Sequence, residues 1–213
     1  MDDWMIDMVR CAVFASGGGS NFQALIERKK AGDLHVDFAI LIGNNSNAFA
    51  FERARLNNIP AIHLSEKQFD SPEAYSTKVM SILDENKVDL IILAGYMKKL
   101  PEILIEKYRM KILNIHPGLL PAFGGKGMYG KYVHEAVLAY GAKVSGVTVH
   151  FVDEEYDQGP VVLQKTVPVL DNDDAGSLAE RVLALEHANF WRAIEAVASG
   201  KLRIEGRRVI GEV

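Results

Sequence analysis

The sequence predicts an α/β domain: a mostly parallel, twisted sheet with helices on both faces. Three observations carry this expectation. Short apolar runs rich in β-branched residues alternate with longer helical patterns along the chain, as in a parallel sheet covered by helices. The run at 88–94, Val-Asp-Leu-Ile-Ile-Leu-Ala, is almost wholly apolar, which suits a central strand buried on both faces. A glycine-rich turn joins the first run to the first helical pattern, where glycine permits a sharp reversal and close approach of a ligand.

The elements follow in order. A first strand is expected at 9–15 and a helix at 20–30, with Phe22, Leu25 and Ile26 on one face. Ser20 and Gln23 have the spacing of a capping box for that helix. A second strand at 36–43, a helix at 48–57 and a short strand at 60–64 come next. Ser71, Pro72 and Glu73 open the third helix, since proline suits a first helical position. Tyr75, Val79, Ile82 and Leu83 give that helix its apolar stripe. After the strand at 88–94 stand a short helix at 101–108 and a strand at 111–115. A glycine-rich loop then runs over 118–130, a length usually reserved for function. A helix at 132–140, strands at 144–152 and 161–167, and a long helix at 175–198 complete the core. Leu202 to Val209 reads as a small hairpin turning at Glu205-Gly206. No repeat or linker interrupts the chain, so residues 1–213 are expected to form a single domain, with a core at about 9–198 and a hairpin at about 201–211.

Composition narrows the function classes. The chain is 48% hydrophobic and 24% charged, ordinary for a globular protein. A formal net charge of −4 argues against general binding to nucleic acid or to an anionic membrane. No apolar stretch approaches the roughly 20 residues of a spanning helix. The opening residues 1–8 carry three aspartates and no basic region, unlike a secretory signal. The cytoplasm is therefore the expected location. The lone Cys11 cannot form an internal disulfide and is expected to be buried in the first strand. His63, His116, His134, His150 and His187 fall on separate elements without metal-ligand spacing, so no metal is expected. A G-x-S-x-G nucleophile motif is missing as well.

Two constellations carry chemistry. Ser16-Gly17-Gly18-Gly19-Ser20-Asn21 links the first strand to the first helix. Free N–H groups and the helix dipole favour an anion there. A dinucleotide fingerprint would need a third glycine where Phe22 stands, and an acidic residue where the second strand ends in Gly43-Asn44-Asn45. A simple phosphomonoester is preferred over a nicotinamide cofactor. The second constellation is Asn114-Ile115-His116-Pro117 at the end of a strand. Strand alternation sends Asn114 and His116 to one side, toward the crevice at the carboxyl ends of the sheet. Asn114 can donate to a carbonyl oxygen. A charged His116 can donate as well, or a neutral ring can carry a proton. Asp157 lies in a later acidic loop, and a carboxylate near an imidazole favours its charged form. On these residues alone, an α/β enzyme of unspecified reaction and a phosphate-binding module without chemistry both stand.

Four segments resemble the folate-dependent formyltransferases: S-G-G-G-S-N at 16–21, L-A-G-Y-M-K-K-L at 93–100, N-I-H-P-G-L-L-P at 114–121 and V-H-F-V-D-E-E-Y-D-Q-G-P at 149–160. The resemblance covers residues 9–198 and implies a Rossmann-like fold. It implies transfer of a formyl group from the co-substrate 10-formyltetrahydrofolate, without a metal. The phosphate loop and L-E-H at 185–187 are similar to the branch whose acceptor is 5-phosphoribosyl-glycinamide, in purine biosynthesis. An amino sugar nucleotide, a methionyl-tRNA, or water (as in formyltetrahydrofolate hydrolase) are the alternative acceptors. The implied partners are small molecules, with neither nucleic acid nor membrane, in a monomer or homodimer.

Residue by residue, the resemblance implies catalysis by Asn114, His116 and Asp157, with Asp157 or a nearby water relaying the proton. It implies acceptor binding by Gly18, Gly19, Ser20, Asn21 and Glu186. Folate contacts fall on Met97, Lys98, Lys99, Leu100, Asn114, His150 and Asp153, with His150 also supporting the trio. Three departures stand out. Gly118 replaces a serine, the loop at 123–130 is longer than usual, and Leu183 stands where some members carry a polar residue near the phosphate. Lys126 or Lys131 is the candidate substitute for that last group.

Overall fold

A computed structural model describes residues 8–213 of the 213-residue chain. Apart from Met8, the opening segment read as lacking a secretory signal lies outside the described residues.

The sheet is built around β1 (Val9–Ala15). Helix α1 (Ser20–Ala31) leads from it to β2 (Val36–Gly43), and α2 (Ala50–Leu56) leads on to β3 (Ala61–His63). The chain then returns through α3 (Pro72–Glu85) to β4 (Leu90–Leu93) on the other side of β1. Helix α4 (Glu102–Lys107) precedes β5 (Ile112–His116), and α5 (Lys131–Tyr140) precedes β6 (Val144–Phe151) and β7 (Val161–Pro168). The order across the seven strands is β3-β2-β1-β4-β5-β6-β7. Strands β1 to β5 run parallel, while β6 and β7 pair antiparallel at one edge. The expected α/β class and mostly parallel sheet are thus what the chain adopts. The direction of chain progression reverses between β1 and β4, and in open sheets a ligand crevice lies at such a reversal, beyond the carboxyl ends of the strands.

Strand alternation divides the core into two layers. On β1, Cys11, Val13 and Ala15 face one layer, with Phe22 and Leu25 of α1 and with Phe190 and Ile194 of the long α6 (Ala175–Ala198). Ala12 and Phe14 face the other, with Tyr75, Val79, Ile82 and Leu83 of α3 and with Leu104 of α4. The apolar stripe read from α3 is therefore its buried face. Helices cover both faces of the sheet. A third, smaller cluster joins α5, β6, β7 and the start of α6 through Val137, Val147, Val167, Leu178 and Val182.

Local details depart from the sequence reading. Ser20 does not cap α1. Gly19 takes the cap position in the left-handed region (φ 67°) and no side chain bonds there. Gln23 instead donates to Glu27 and accepts from Arg53. A 3-10 turn at Glu66–Gln68, held by a Ser65 capping box, was not foreseen. The terminal hairpin, β8 (Arg203–Glu205) and β9 (Arg208–Ile210), turns at Gly206-Arg207, one residue later than expected.

Candidate active site

A cavity of about 730 Å³ opens beyond the carboxyl ends of the central strands. The glycine loop reaches it from β1. Ser16 fixes the base of that loop: its hydroxyl donates to Asn44 Oδ1 (2.6 Å) and accepts from the Met97 N–H (2.8 Å). Its own N–H donates to the Gly95 carbonyl (3.1 Å). The ends of β1, β2 and β4 are thereby bound to one another. Helix α2 holds the loop from outside, the Ala50 N–H donating to the Gly17 carbonyl (3.2 Å) and Arg53 Nε to the Gly18 carbonyl (2.7 Å). Ser20 and Asn21 line the cavity, while Gly18 and Gly19 form the outer bend of the loop and lie outside its wall.

From α6, Glu186 also enters the cavity wall, only 7% exposed. Asn21 Nδ2 donates to its Oε2 (2.6 Å). Burial pushes the Glu186 carboxyl up to about 7, against the opposing effect of the Asn21 hydrogen bond. Asn21 Oδ1 is buried with no protein partner, so this pair keeps an unused acceptor beside the cavity.

The opposite wall holds Asn114, His116, His150 and Asp157. Asn114 and His116 project from alternate positions of β5, and β6 brings His150 into register opposite Asn114. The His150 Nδ1 lies 2.8 Å from its neighbour's carbonyl, Phe151 O, which can only accept. Nδ1 therefore carries the proton, and Nε2 is left to accept from Asn114 Nδ2 at 3.1 Å. That contact turns the Asn114 amide so that one N–H is engaged and the second remains available. Asp157 stands between the two rings, its Oδ2 3.6 Å from His116 Nδ1 and its Oδ1 3.5 Å from His150 Nε2. A left-handed backbone at Asp157 (φ 57°) directs the carboxylate inward.

The electrostatics revise one expectation. Burial is the largest influence on His116 and lowers its pKa from the ordinary 6.5, outweighing the Asp157 carboxylate and the Phe123 carbonyl, which raise it. Burial thus favours the neutral ring, and the Asp157 carboxylate works against it. For Asp157, burial alone would raise the carboxyl. The neighbouring His150 and His116 rings, where they carry charge, and the Gly125 N–H bring it below the usual range instead. The site thus sets an imidazole lowered by burial beside a carboxylate lowered by its neighbours.

The remaining sequence candidates, Met97, Lys98, Lys99, Leu100 and Asp153, all line the same cavity. Leu100 is buried, and with Leu93, Ile105 and Val152 it makes an apolar wall suited to a flat ring. Met97 and the two lysines are exposed at the rim. Leu183, Lys126 and Lys131 line the cavity too. Lys131 is drawn toward Glu135 (3.4 Å). Sequence reasoning missed Arg53 behind the loop. It also missed the backbone of Phe123 and Gly125, which bonds His116 Nε2 (2.9 Å) and Asp157 Oδ2 (2.8 Å). A side-chain motif carries no signal for such contacts. Among the described residues no group of three or more His, Cys, Asp or Glu is arranged to hold a metal ion.

With this geometry in view, similarity to known proteins is informative. Residues 9–194 match the formyl transferase family model. The chain is 47% identical over 194 residues to the chloroplastic phosphoribosylglycinamide formyltransferase of Vigna unguiculata, covering 91% of this chain and 62% of that protein. It thus spans less than two thirds of that plant relative's length. To the phosphoribosylglycinamide formyltransferase of Bacillus subtilis it is 38% identical over 180 residues, covering 84% of this chain and 90% of that one. Among solved structures, glycinamide ribonucleotide transformylase 1 from Symbiobacterium toebii superposes with a TM-score of 0.90 at 39% identity, over 96% of this chain and 94% of its own. A family match over nearly all of the sheet, with relatives this similar across most of their length, leaves one assignment: the chain belongs to the formyl transferase family.

Proposed function

We propose that this chain transfers a formyl group from 10-formyltetrahydrofolate to the amine of 5-phosphoribosyl-glycinamide, a step of purine biosynthesis. The observation that carries the reading is that one cavity is lined by both the phosphate-type loop, through Ser20 and Asn21, and the Asn114, His116 and Asp157 group. Holding both small-molecule substrates in one crevice supplies much of the rate by proximity. The loop N–H groups receive the phosphate, Glu186 and Asn21 the polar sugar, and the apolar wall near Leu100 the folate ring.

The acceptor amine attacks the formyl carbon as the neutral base. The second N–H of Asn114 donates to the formyl oxygen as it gathers charge, a contribution of about 10²–10³ in rate at other enzymes. Neutral His116 takes the proton that the amine loses, at Nδ1, and the new imidazolium is stabilised by Asp157. The same nitrogen returns that proton to the folate nitrogen as its bond to the formyl carbon breaks. Bonds and protons balance without a metal. This route makes His116 the proton carrier and leaves Asp157 charged throughout.

The reaction is tested by following 10-formyltetrahydrofolate with purified protein, with and without glycinamide ribotide. Consumption strictly dependent on that acceptor is expected. Equal consumption in buffer alone would indicate a hydrolase, and consumption only with an amino sugar nucleotide or methionyl-tRNA would transfer the assignment there. Turnover should survive a chelator, and loss on chelation would overturn the metal-free route. Among the described residues no helix is long and apolar enough to cross a membrane. The cytoplasm is the compartment we propose, with a plastid as the alternative because the plant relatives are named as chloroplastic.

A further inference from the structure

The loop at 118–130 contributes more than a cavity wall. We propose that the backbone of Phe123–Gly125 is a positioning clamp, which makes His116 Nδ1 the working nitrogen by engaging Nε2 and holding Asp157 in place. The proposal deepens the formyl-transfer reading and rests on it.

The chemistry starts from what a carbonyl can do. The Phe123 oxygen lies 2.9 Å from His116 Nε2 and can only accept, so Nε2 must carry a hydrogen. The tautomer of a neutral ring is then settled, and Nδ1 holds the lone pair. Nδ1 is the nitrogen that faces Asp157 Oδ2, 3.6 Å away. That same carboxylate oxygen accepts from the Gly125 N–H at 2.8 Å. Two loop residues, on either side of Gly124, thus grip both members of the pair, Phe123 through an acceptor and Gly125 through a donor.

The loop is built to reach this position. Phe123 adopts a left-handed backbone (φ 52°), which a non-glycine residue holds only when its surroundings enforce it. Its ring supplies the enforcement by packing on the cluster of Val137, Val147 and Leu178 and meeting Tyr140 edge-on at 5.8 Å. Gly125 is at φ 96°, a conformation that side chains disfavour. A Cβ on Gly124 would stand 3.2 Å from Asp157 Cβ and 2.4 Å from Leu120 Cδ2, so the loop passes this close only because residue 124 has none. Gly118 completes the fit. A Cβ there would lie 3.0 Å from His116 Nε2, beside the atom that meets Phe123. Gly118 and the close pass of residues 123–125 are therefore two parts of one arrangement.

The test uses the full chain labelled with ¹⁵N-histidine, with the His116 signals assigned by their loss in His116→Gln. In the wild-type protein, at a pH where the ring is neutral, His116 is expected as the Nε2–H tautomer. Phe123→Ala should release that preference and lower kcat by about 10²-fold, while KM for both substrates moves about twofold at most. Phe123→Leu keeps an apolar anchor and should restore both tautomer and turnover. A wild-type Nδ1–H tautomer overturns the clamp. So does a folded Phe123→Ala with wild-type kcat. If Phe123→Ala does not fold, the wild-type tautomer and Gly124→Val, which crowds Asp157 without removing the ring, decide the matter by the same readouts. The tautomer is read without substrates, so absence of turnover with glycinamide ribotide would remove the proposed reaction and leave the clamp to stand or fall on the spectra.

Discussion

At the scale of single residues, two buried titratable groups face the same cavity and are shifted in opposite senses. His116 is lowered from 6.5 by burial. As the proton acceptor it must be neutral, so kcat at saturating substrates should persist below pH 6.5 and fall only as the depressed pKa is crossed. Bound substrates add burial and move the limb further in the same direction. A profile in which activity rises on acidification toward pH 5 would mean that the charged ring is the active form. Glu186 behaves in the other sense. Its carboxyl is raised from 4.5 to about 7 in the folded, ligand-free protein. Between those values the unfolded chain has released this proton and the folded chain has not, so stability falls as pH rises through the window. At about 1.4 kcal/mol per unit the full effect is on the order of 3 kcal/mol. Glu186→Gln should therefore gain stability over the wild type from pH 5 to pH 8 in denaturant titrations, and a constant difference would show that the carboxyl is not raised. The sequence made these residues legible unequally. Asn114 and His116 are two positions apart on β5, so alternation alone groups them. Asp157 arrives through a left-handed turn after β6, which no periodicity records, and only a family pattern joined it to the others. The lowering of His116 had no signal in the sequence, where a nearby carboxylate is visible and the depth of burial is not.

At the scale of elements, the glycine loop and α2 act as one piece. Gly19 is at φ 67°, and a Cβ there would stand 2.9 Å from Ala50 Cβ and 3.0 Å from Ala50 Cα, neither of which can swing aside. Gly19→Ala is accordingly expected to cost about 1–3 kcal/mol, from backbone strain and the displacement of α2. It should raise KM for the phosphorylated acceptor while KM for the folate and kcat at saturation stay near wild type. Destabilisation without a KM change would separate the loop from phosphate binding. The order of strands and helices was readable because each period is strong over its length. The features that escaped have physical reasons too. An apolar run carries no strand direction, so the antiparallel β6 and β7 could not be told from parallel neighbours. A three-residue 3-10 turn is too short to show a period. The Ser20-Gln23 spacing suggested a box, but the left-handed Gly19 already occupies the cap and carries no side chain to accept a bond.

At the scale of the whole molecule, β1 connects everything else. It separates the two core layers, pairs with β2 and β4, and ends in the glycine loop. Cys11 lies on this strand, in register with Phe38 on one side and Leu90 on the other, and is 0% exposed. Burial pushes its thiol far above the ordinary range, with the Asp89 and Asp37 carboxylates adding to the effect. The thiolate is the reactive form, so labelling requires β1 to leave the sheet. No local opening exposes a central strand without dissolving the layers on both faces. The chain's one cysteine therefore reports global unfolding. Its modification by a thiol reagent under native conditions should be slow, with a rate that tracks the unfolding free energy measured in denaturant. Any ligand that binds only the folded state must slow it further by mass action. Glycinamide ribotide at about 100 times its dissociation constant should slow labelling about 100-fold. Gly19→Ala should lose much of that protection at the same ligand concentration because its affinity is lower. Rapid labelling of the native wild type would show that β1 opens by itself. Labelling that glycinamide ribotide does not slow would show that the acceptor site is not part of this cooperative unit, against a loop held directly by the strand that carries the thiol.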